Sequence, residues 1–216
     1  MDNLNKYIEH TLLKQDATQE ELTKLLDEAI ENKFLGICVN PCHVKFAKEY
    51  LKNSDVKIVT VIGFPLGANK YELKAYETKL AVADGADEVD MVINVGLIKD
   101  KDFQAVQRDI EAVRVFCPQK VLKVILETDL LTKEEIETAC KLCMSAKADF
   151  VKTSTGFVKN GIGAKVEDVE LMYKTVSSQG LQVKASAGIR DKQKALDLIK
   201  AGASRLGTSS GIEIVK

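Results

Sequence analysis

The strongest constraint in this sequence is a repeated alternation: a short apolar run, then an amphipathic stretch, eight times over. The runs are Tyr7–Leu13, Phe34–Asn40, Lys57–Gly63, Glu88–Asn94, Val121–Thr128, Phe150–Thr155, Gln182–Ala187 and Arg205–Ser209, and each reads as a strand. Between them, Leu22, Leu25, Leu26, Ala29 and Ile30 share one helical face, and Phe103, Val106, Ile110 and Val113 share another. Tyr71, Tyr76 and Leu80 also fit a helix face with no special role. Thr18 with Glu21, and Thr132 with Glu135, have capping-box spacing. Pro41 suits a first helical turn, and Gly85, Gly180 and Gly202 suit helix ends. Near-continuous apolar strands separated by helices imply a parallel sheet covered by helices. An open doubly wound sheet and a closed barrel both satisfy that pattern. Eight units at roughly thirty-residue steps, and no GxGxxG after the first strand, favour an α/β fold, a single (β/α)8 TIM barrel. No linker-like tract divides the chain, so one domain is expected over residues 1–216.

A net charge of -1 provides no cationic excess for nucleic acid or an anionic membrane. The N-terminus, MDNLNKYIEHTLLK, has no signal-peptide core, and no apolar run approaches a membrane span. Five unevenly spaced cysteines read as reduced thiols, and the protein reads as cytoplasmic. Cys38, Cys42 and His43, or Cys140 and Cys143, lack the paired spacing of a metal site, so neither a metal nor a cofactor is expected. His10 reads as a hydrogen-bonded structural histidine.

Charges inside the apolar runs carry the functional signal. Asp90 sits in EVDMVIN, Lys123 in VLKVILET with Glu127 after it, Lys152 in FVKTST, and Lys184 in QVKASAG. Equivalent points on consecutive strands of a barrel surround one interior. Asp90 facing inward also turns Val92 and Asn94 inward, and Ser154 and Ser186 share the faces of Lys152 and Lys184. Buried charges cost several kcal/mol each unless they are partnered. A structural ion-pair network among Asp90, Lys123, Glu127, Lys152 and Lys184 would satisfy that requirement, and so would catalysis. A free lysine has a pKa of ~10.4, which leaves about one amine in 2,500 neutral at pH 7. Lowering it to about 7 takes ~4.6 kcal/mol, which a neighbouring ammonium and desolvation can supply. The resulting amine attacks carbonyls to form a Schiff base, and Asp90 or Lys184 can move the protons. These residues alone leave open which lysine is the nucleophile.

At these positions the chain resembles deoxyribose-phosphate aldolases, class I enzymes. The likeness spans IEHTLLK, GFPLG, GADEVDMVINVG, LKVILET, FVKTSTGF and VKASAGIR, essentially the whole chain. The resemblance implies reversible cleavage of 2-deoxy-D-ribose 5-phosphate to D-glyceraldehyde 3-phosphate and acetaldehyde. It implies Lys152 as the Schiff-base lysine, Lys184 as the neighbour that perturbs it and assists proton transfer, and Asp90 as proton donor and acceptor. Lys123 and Glu127 then belong to a supporting charge network. For the substrate phosphate, Gly188 after strand 7 and Gly207, Ser209 and Ser210 in LGTSSGI offer backbone N–H groups and hydroxyls. The family implies small-molecule sugar phosphate and aldehyde partners and a homodimer.

The chain departs from the family pattern in three places. Ala187 stands where a second glycine is usual, the loop after Gly156 reads FVKNGIGAK, and Glu9 replaces the common Asp. Lys159 or Lys165 is a candidate for meeting phosphate, and none of the three departures is expected to touch the catalytic residues. Two rivals remain: a Schiff-base lyase for another sugar phosphate, and a non-catalytic sugar-phosphate-binding barrel.

Overall fold

The computed structural model describes residues 3–216. Eight parallel strands close into a barrel in sequence order: β1 (Ile8–Leu12), β2 (Gly36–Val39), β3 (Lys57–Ile62), β4 (Glu88–Val92), β5 (Val121–Ile125), β6 (Phe150–Lys152), β7 (Gln182–Ser186) and β8 (Ala203–Thr208). β8 pairs with β1, with Glu9 opposite Gly207, so the sheet has no free edge. Helices α1 (Gln19–Glu31), α2 (Val44–Tyr50), α3 (Tyr71–Asp84), α4 (Val95–Lys99), α5 (Phe103–Phe116), α6 (Lys133–Ser145), α7 (Val166–Val176), α8 (Lys192–Lys200) and α9 (Gly211–Val215) cover the outside. No helix among the described residues is long and apolar enough to cross a membrane.

Local chemistry starts and stops these elements. Thr18 with Glu21 and Thr132 with Glu135 form complete capping boxes at α1 and α6. Pro41 opens a short 3-10 turn that leads into α2. Gly85 ends α3 at a φ of 110°, a conformation that favours glycine. The strands are shorter than the apolar runs because side chains claim the backbone groups at their ends. β4 stops at Val92, and Asn94 accepts from the Leu97 amide as the cap of α4 rather than facing inward. β5 stops at Ile125, because Glu127 turns the chain at a φ of 60°.

Strand alternation separates two environments. Outward residues such as Val89, Met91, Leu122, Val124 and Val151 join Leu22, Leu26, Val106 and Ile110 in the main hydrophobic core between sheet and helices. Each such side chain, fully buried, contributes about 1.5–3 kcal/mol. Inward residues differ around the barrel. β2 and β3 supply Cys38, Val59 and Val61, whereas β4 to β7 supply Asp90, Lys123, Lys152 and Lys184. On α3, Tyr71, Tyr76 and Leu80 are exposed, and the buried face is Lys74, Thr78 and Ala81 instead. Lys74 is fully buried, donating to the Val92 carbonyl at 2.9 Å and pairing with Asp109 of α5 at 2.6 Å. His10 is buried and bonded to Glu28 at 2.7 Å, the structural role expected of it.

Candidate active site

The register aligns the inward charges. Asp90 lies opposite Lys123, Ile125 opposite Lys152, and Lys152 opposite Lys184. Asp90 Oδ2 accepts from Lys152 Nζ at 2.8 Å and from Lys184 Nζ at 2.7 Å, while Oδ1 accepts from Lys123 Nζ at 3.0 Å. Two amines therefore converge on one carboxylate oxygen, and Lys152 of this cluster lines a cleft of about 660 Å³ at the strands' C-terminal ends. The cleft is lined by Lys152, Ser154, Thr155, Ser186, Gly188 and Ser209, among others. Ser154 Oγ is buried there with no hydrogen-bond partner among the described residues.

Glu9 of β1 completes the cluster. It is fully buried, hydrogen-bonds Lys184 Nζ, and lies 3.4 Å from Lys123 and 3.7 Å from Arg205. The Asp-to-Glu departure thus does touch the inferred catalytic lysines, contrary to expectation. β1 is the neighbour of β8, and its carboxylate reaches across the barrel interior. Glu88, at the start of β4, pairs with Lys123 at 2.5 Å.

Burial and these pairings set the protonation states. Burial pushes the Asp90 carboxyl up, but Lys123, Lys152 and Lys184 outweigh it and hold Asp90 well below its ordinary value. Burial likewise opposes charge on Glu9, but Lys123 and Lys184 outweigh it and the net shift is downward. Burial pushes Lys184 down, yet Asp90 and Glu9 more than compensate and raise it. Lys123 is raised in the same way, mainly by Asp90 and Glu9. Lys152 alone of the three goes down: burial lowers it, Asp90 opposes, and Lys184 adds to the lowering. Burial is thus the largest cause, and Lys184 assists it.

The remaining expected site residues separate. Glu127 does not join the lysine cluster. Its carboxylate accepts from the Thr155 amide at 3.1 Å and from the Thr155 hydroxyl, because the left-handed turn aims it at the loop after β6. Gly188 and Ser209 line the cleft. Gly207 also lines it, and its missing side chain makes room for Lys184, since a Cβ there would lie 3.0 Å from Lys184 Cε. Ser210 is not among the lining residues, and its amide donates to Thr208 Oγ1 at 2.9 Å. Lys159 and Lys165 are also absent from the lining, Lys165 being drawn to Asp129 at 3.1 Å. Arg190 and Lys14 are cations at the cleft that sequence reasoning had not singled out. Arg190 closes the VKASAGIR motif, so its signal was available. Ala187 adopts a φ of 70°, and its carbonyl accepts from the Ala164 amide at 3.1 Å. A Cβ on Gly163 would lie 2.5 Å from that carbonyl oxygen, so the loop after β6 packs tightly on the strand-7 turn.

A parallel eight-stranded barrel with lysines and carboxylates converging under its C-terminal mouth is the architecture of an aldolase, a carbon–carbon lyase. The chain belongs to the DeoC/LacD family of aldolases, whose family model matches residues 5–216. Among curated relatives, it is 58% identical to the deoxyribose-phosphate aldolase of Brevibacillus brevis over 213 residues, 99% of this chain and 95% of that protein. It is 54% identical to that of Finegoldia magna, covering 99% of both chains. Among solved structures, the aldolase QR15 superposes with a TM-score of 0.94 at 41% identity, covering 99% of this chain and 95% of that one. A tetrameric deoxyribose phosphate aldolase from Aeropyrum pernix superposes at 0.91 with 32% identity, covering 98% and 89%.

Proposed function

We propose that this chain reversibly cleaves 2-deoxy-D-ribose 5-phosphate to D-glyceraldehyde 3-phosphate and acetaldehyde through a Schiff base on Lys152. The reading rests on one observation, the balance of buried charge. Glu9 and Asp90 oppose Lys123 and Lys184, two against two, all fully buried. Glu88 and Arg205 add one charge of each sign. Lys152 is the excess cation, so neutrality in a low-dielectric interior favours Lys152 as the free amine. This supports on physical grounds the assignment that the family resemblance implies.

In the cleavage direction, the Lys152 amine adds to the C1 aldehyde of the open-chain sugar, and loss of water gives the iminium. Removal of the C3 hydroxyl proton then breaks the C2–C3 bond. Its electron pair moves into the iminium, releasing glyceraldehyde 3-phosphate and leaving an enamine on Lys152. Protonation of the enamine at C2 and addition of water release acetaldehyde and restore the amine. Asp90, held ionised, is the proton acceptor, and Lys184, held as an ammonium beside it, is the donor. The unpartnered Ser154 hydroxyl is available to a substrate hydroxyl. Backbone groups at Gly188 and Ser209, with Arg190 at the rim, suit the phosphate. In this reading residues 1–216 form one catalytic domain without cofactor, acting as a cytoplasmic homodimer in deoxyribose and deoxyribonucleotide catabolism.

Borohydride reduction in the presence of acetaldehyde tests the proposal. Mass spectrometry should find an ethyl adduct on Lys152, and no adduct on any lysine would overturn it.

A further inference from the structure

We infer that Glu9 is a positioning residue that fixes the Lys184 ammonium over Asp90 and thereby leaves Lys152 as the reactive amine. The inference rests on the Schiff-base reading above and assigns a part to a residue from the opposite end of the chain.

Three observations carry it. Glu9 is fully buried and touches three cations: Lys184, Lys123 at 3.4 Å and Arg205 at 3.7 Å. A carboxylate in that setting is costly to bury unless its charge is used, and no neutral group would need so many partners. Next, the path of Lys184 to Glu9 is built into the barrel. The lysine stem crosses β8 at Gly207, where a Cβ would come within 3.0 Å of Cε. Finally, Asp90 Oδ2 is shared between Lys152 and Lys184. With Asp90 as the sole carboxylate, the two lysines would compete for one counter-charge. Glu9 breaks the tie, since it bonds Lys184, whereas Lys152 pairs with Asp90 and, among the described residues, forms no ion pair with Glu9.

Every strand around Lys184 that presents a titratable or charged group enters this balance: Glu9 on β1, Cys38 on β2, Asp90 on β4, Lys123 on β5, Lys152 on β6 and Arg205 on β8. Burial pushes the Cys38 thiol up, so it stays neutral. Arg205 and Lys123 both oppose the Lys184 charge, leaving Glu9 and Asp90 as the groups that hold it.

The test is the pH dependence of kcat/KM for 2-deoxy-D-ribose 5-phosphate, together with borohydride trapping of acetaldehyde on Lys152. In the native chain the basic side should stay level to about pH 10, because Lys184 keeps its proton. Glu9→Gln should bring the descending basic limb about 1 to 3 pH units lower than in the native chain, followed in both as far into the alkaline range as the fold persists, as expected for loss of an adjacent opposite charge. Glu9→Asp, which keeps the charge, should remain level. Lys123→Met removes a cation from the same carboxylate and should also remain level, with its acidic limb moved upward. A merely structural Glu9 would lower stability and leave the limbs in place. A folded Glu9→Gln chain that traps acetaldehyde on Lys152 with an unmoved profile would overturn the inference. So would a new basic limb in Glu9→Asp or Lys123→Met, and these two variants carry the test if Glu9→Gln does not fold. Absence of any adduct in the native chain would instead sink the Schiff-base reading.

Discussion

Replacing Lys184 by Met keeps much of its apolar stem and removes only the ammonium. Glu9 and Asp90 Oδ2 then lose a buried partner each. Breaking a buried pair by removing one partner costs about 3–5 kcal/mol. For a chain of this length each kcal/mol lowers Tm by roughly 2–4 °C, so the melting point should fall by roughly 6–20 °C. The chemical consequence is separable from the loss of stability. Among the fully buried charges, Glu9 and Asp90 would then be balanced by Lys123 and Lys152, with Glu88 and Arg205 still offsetting each other, and Lys152 would now be the cation needed for neutrality. The push that Lys184 exerts on Lys152 would also vanish. The Lys152 pKa should therefore rise by about 1–3 units, which reduces the free amine at neutral pH about 10- to 1,000-fold. Because attack requires the neutral amine, the acidic limb of Lys152 trapping should move upward in pH. Borohydride capture of acetaldehyde across a pH series, with circular dichroism at each point, reads both effects. A folded variant whose Lys152 traps with the native pH dependence would refute electrostatic control by Lys184.

Three further outcomes are expected. Asp90 and Glu9 lie below their ordinary values of 3.8 and 4.5, so each contributes stability that is complete above those values and is lost as pH falls toward the folded-state values; guanidinium melts should weaken below about pH 4.5, and a flat dependence there would contradict the ion-pair cluster. Ala187→Gly relieves a left-handed backbone that costs an alanine about 1 kcal/mol, partly offset by the greater freedom of glycine when unfolded, so Tm should change by no more than roughly 4 °C; KM for the phosphorylated sugar should change while KM for 2-deoxyribose does not. Lys74→Met leaves Asp109 buried without its partner and should cost about 3–5 kcal/mol, whereas the double change with Asp109→Leu should cost less than Lys74→Met alone; additive losses in urea melts would show that the pair is not coupled.

Much of the barrel was legible because each strand is buried on both faces and reads as an unbroken apolar run, interrupted only where chemistry requires it. Asp90, Lys123, Lys152 and Lys184 stood out for that reason, and the structure brings all four together. Glu127 looked like a fifth member because strand alternation was extended past Ile125, where a left-handed turn re-aims the side chain. Glu9 stood out only as a departure from the family's Asp, and its contact with the lysines was not legible for the opposite reason. A charge near the start of the first strand looks solvated, and the barrel interior it faces is formed by residues far away in sequence, Lys184 lying 175 positions after Glu9. Ser210 was read as an anion donor from its neighbours' size, but its amide is already committed to Thr208. On α3 the aromatic residues drew the eye, while the smaller Thr78 and Ala81 with the straight stem of Lys74 are what fit against the strands.

The pairing of β8 with β1 makes reactivity a property of the finished molecule. Lys152 is lowered by burial and by Lys184, and Lys184 in turn is held by a glutamate from the first strand. A nascent chain still lacking its last strand has no closed interior, so the burial that lowers Lys152 is not yet in place. On the proposed Schiff-base reading, the amine that captures the substrate aldehyde is thus silent during synthesis and in the unfolded state. It becomes available only behind walls that decide which carbonyl compounds may approach, so closure of the fold doubles as the safety catch on the nucleophile.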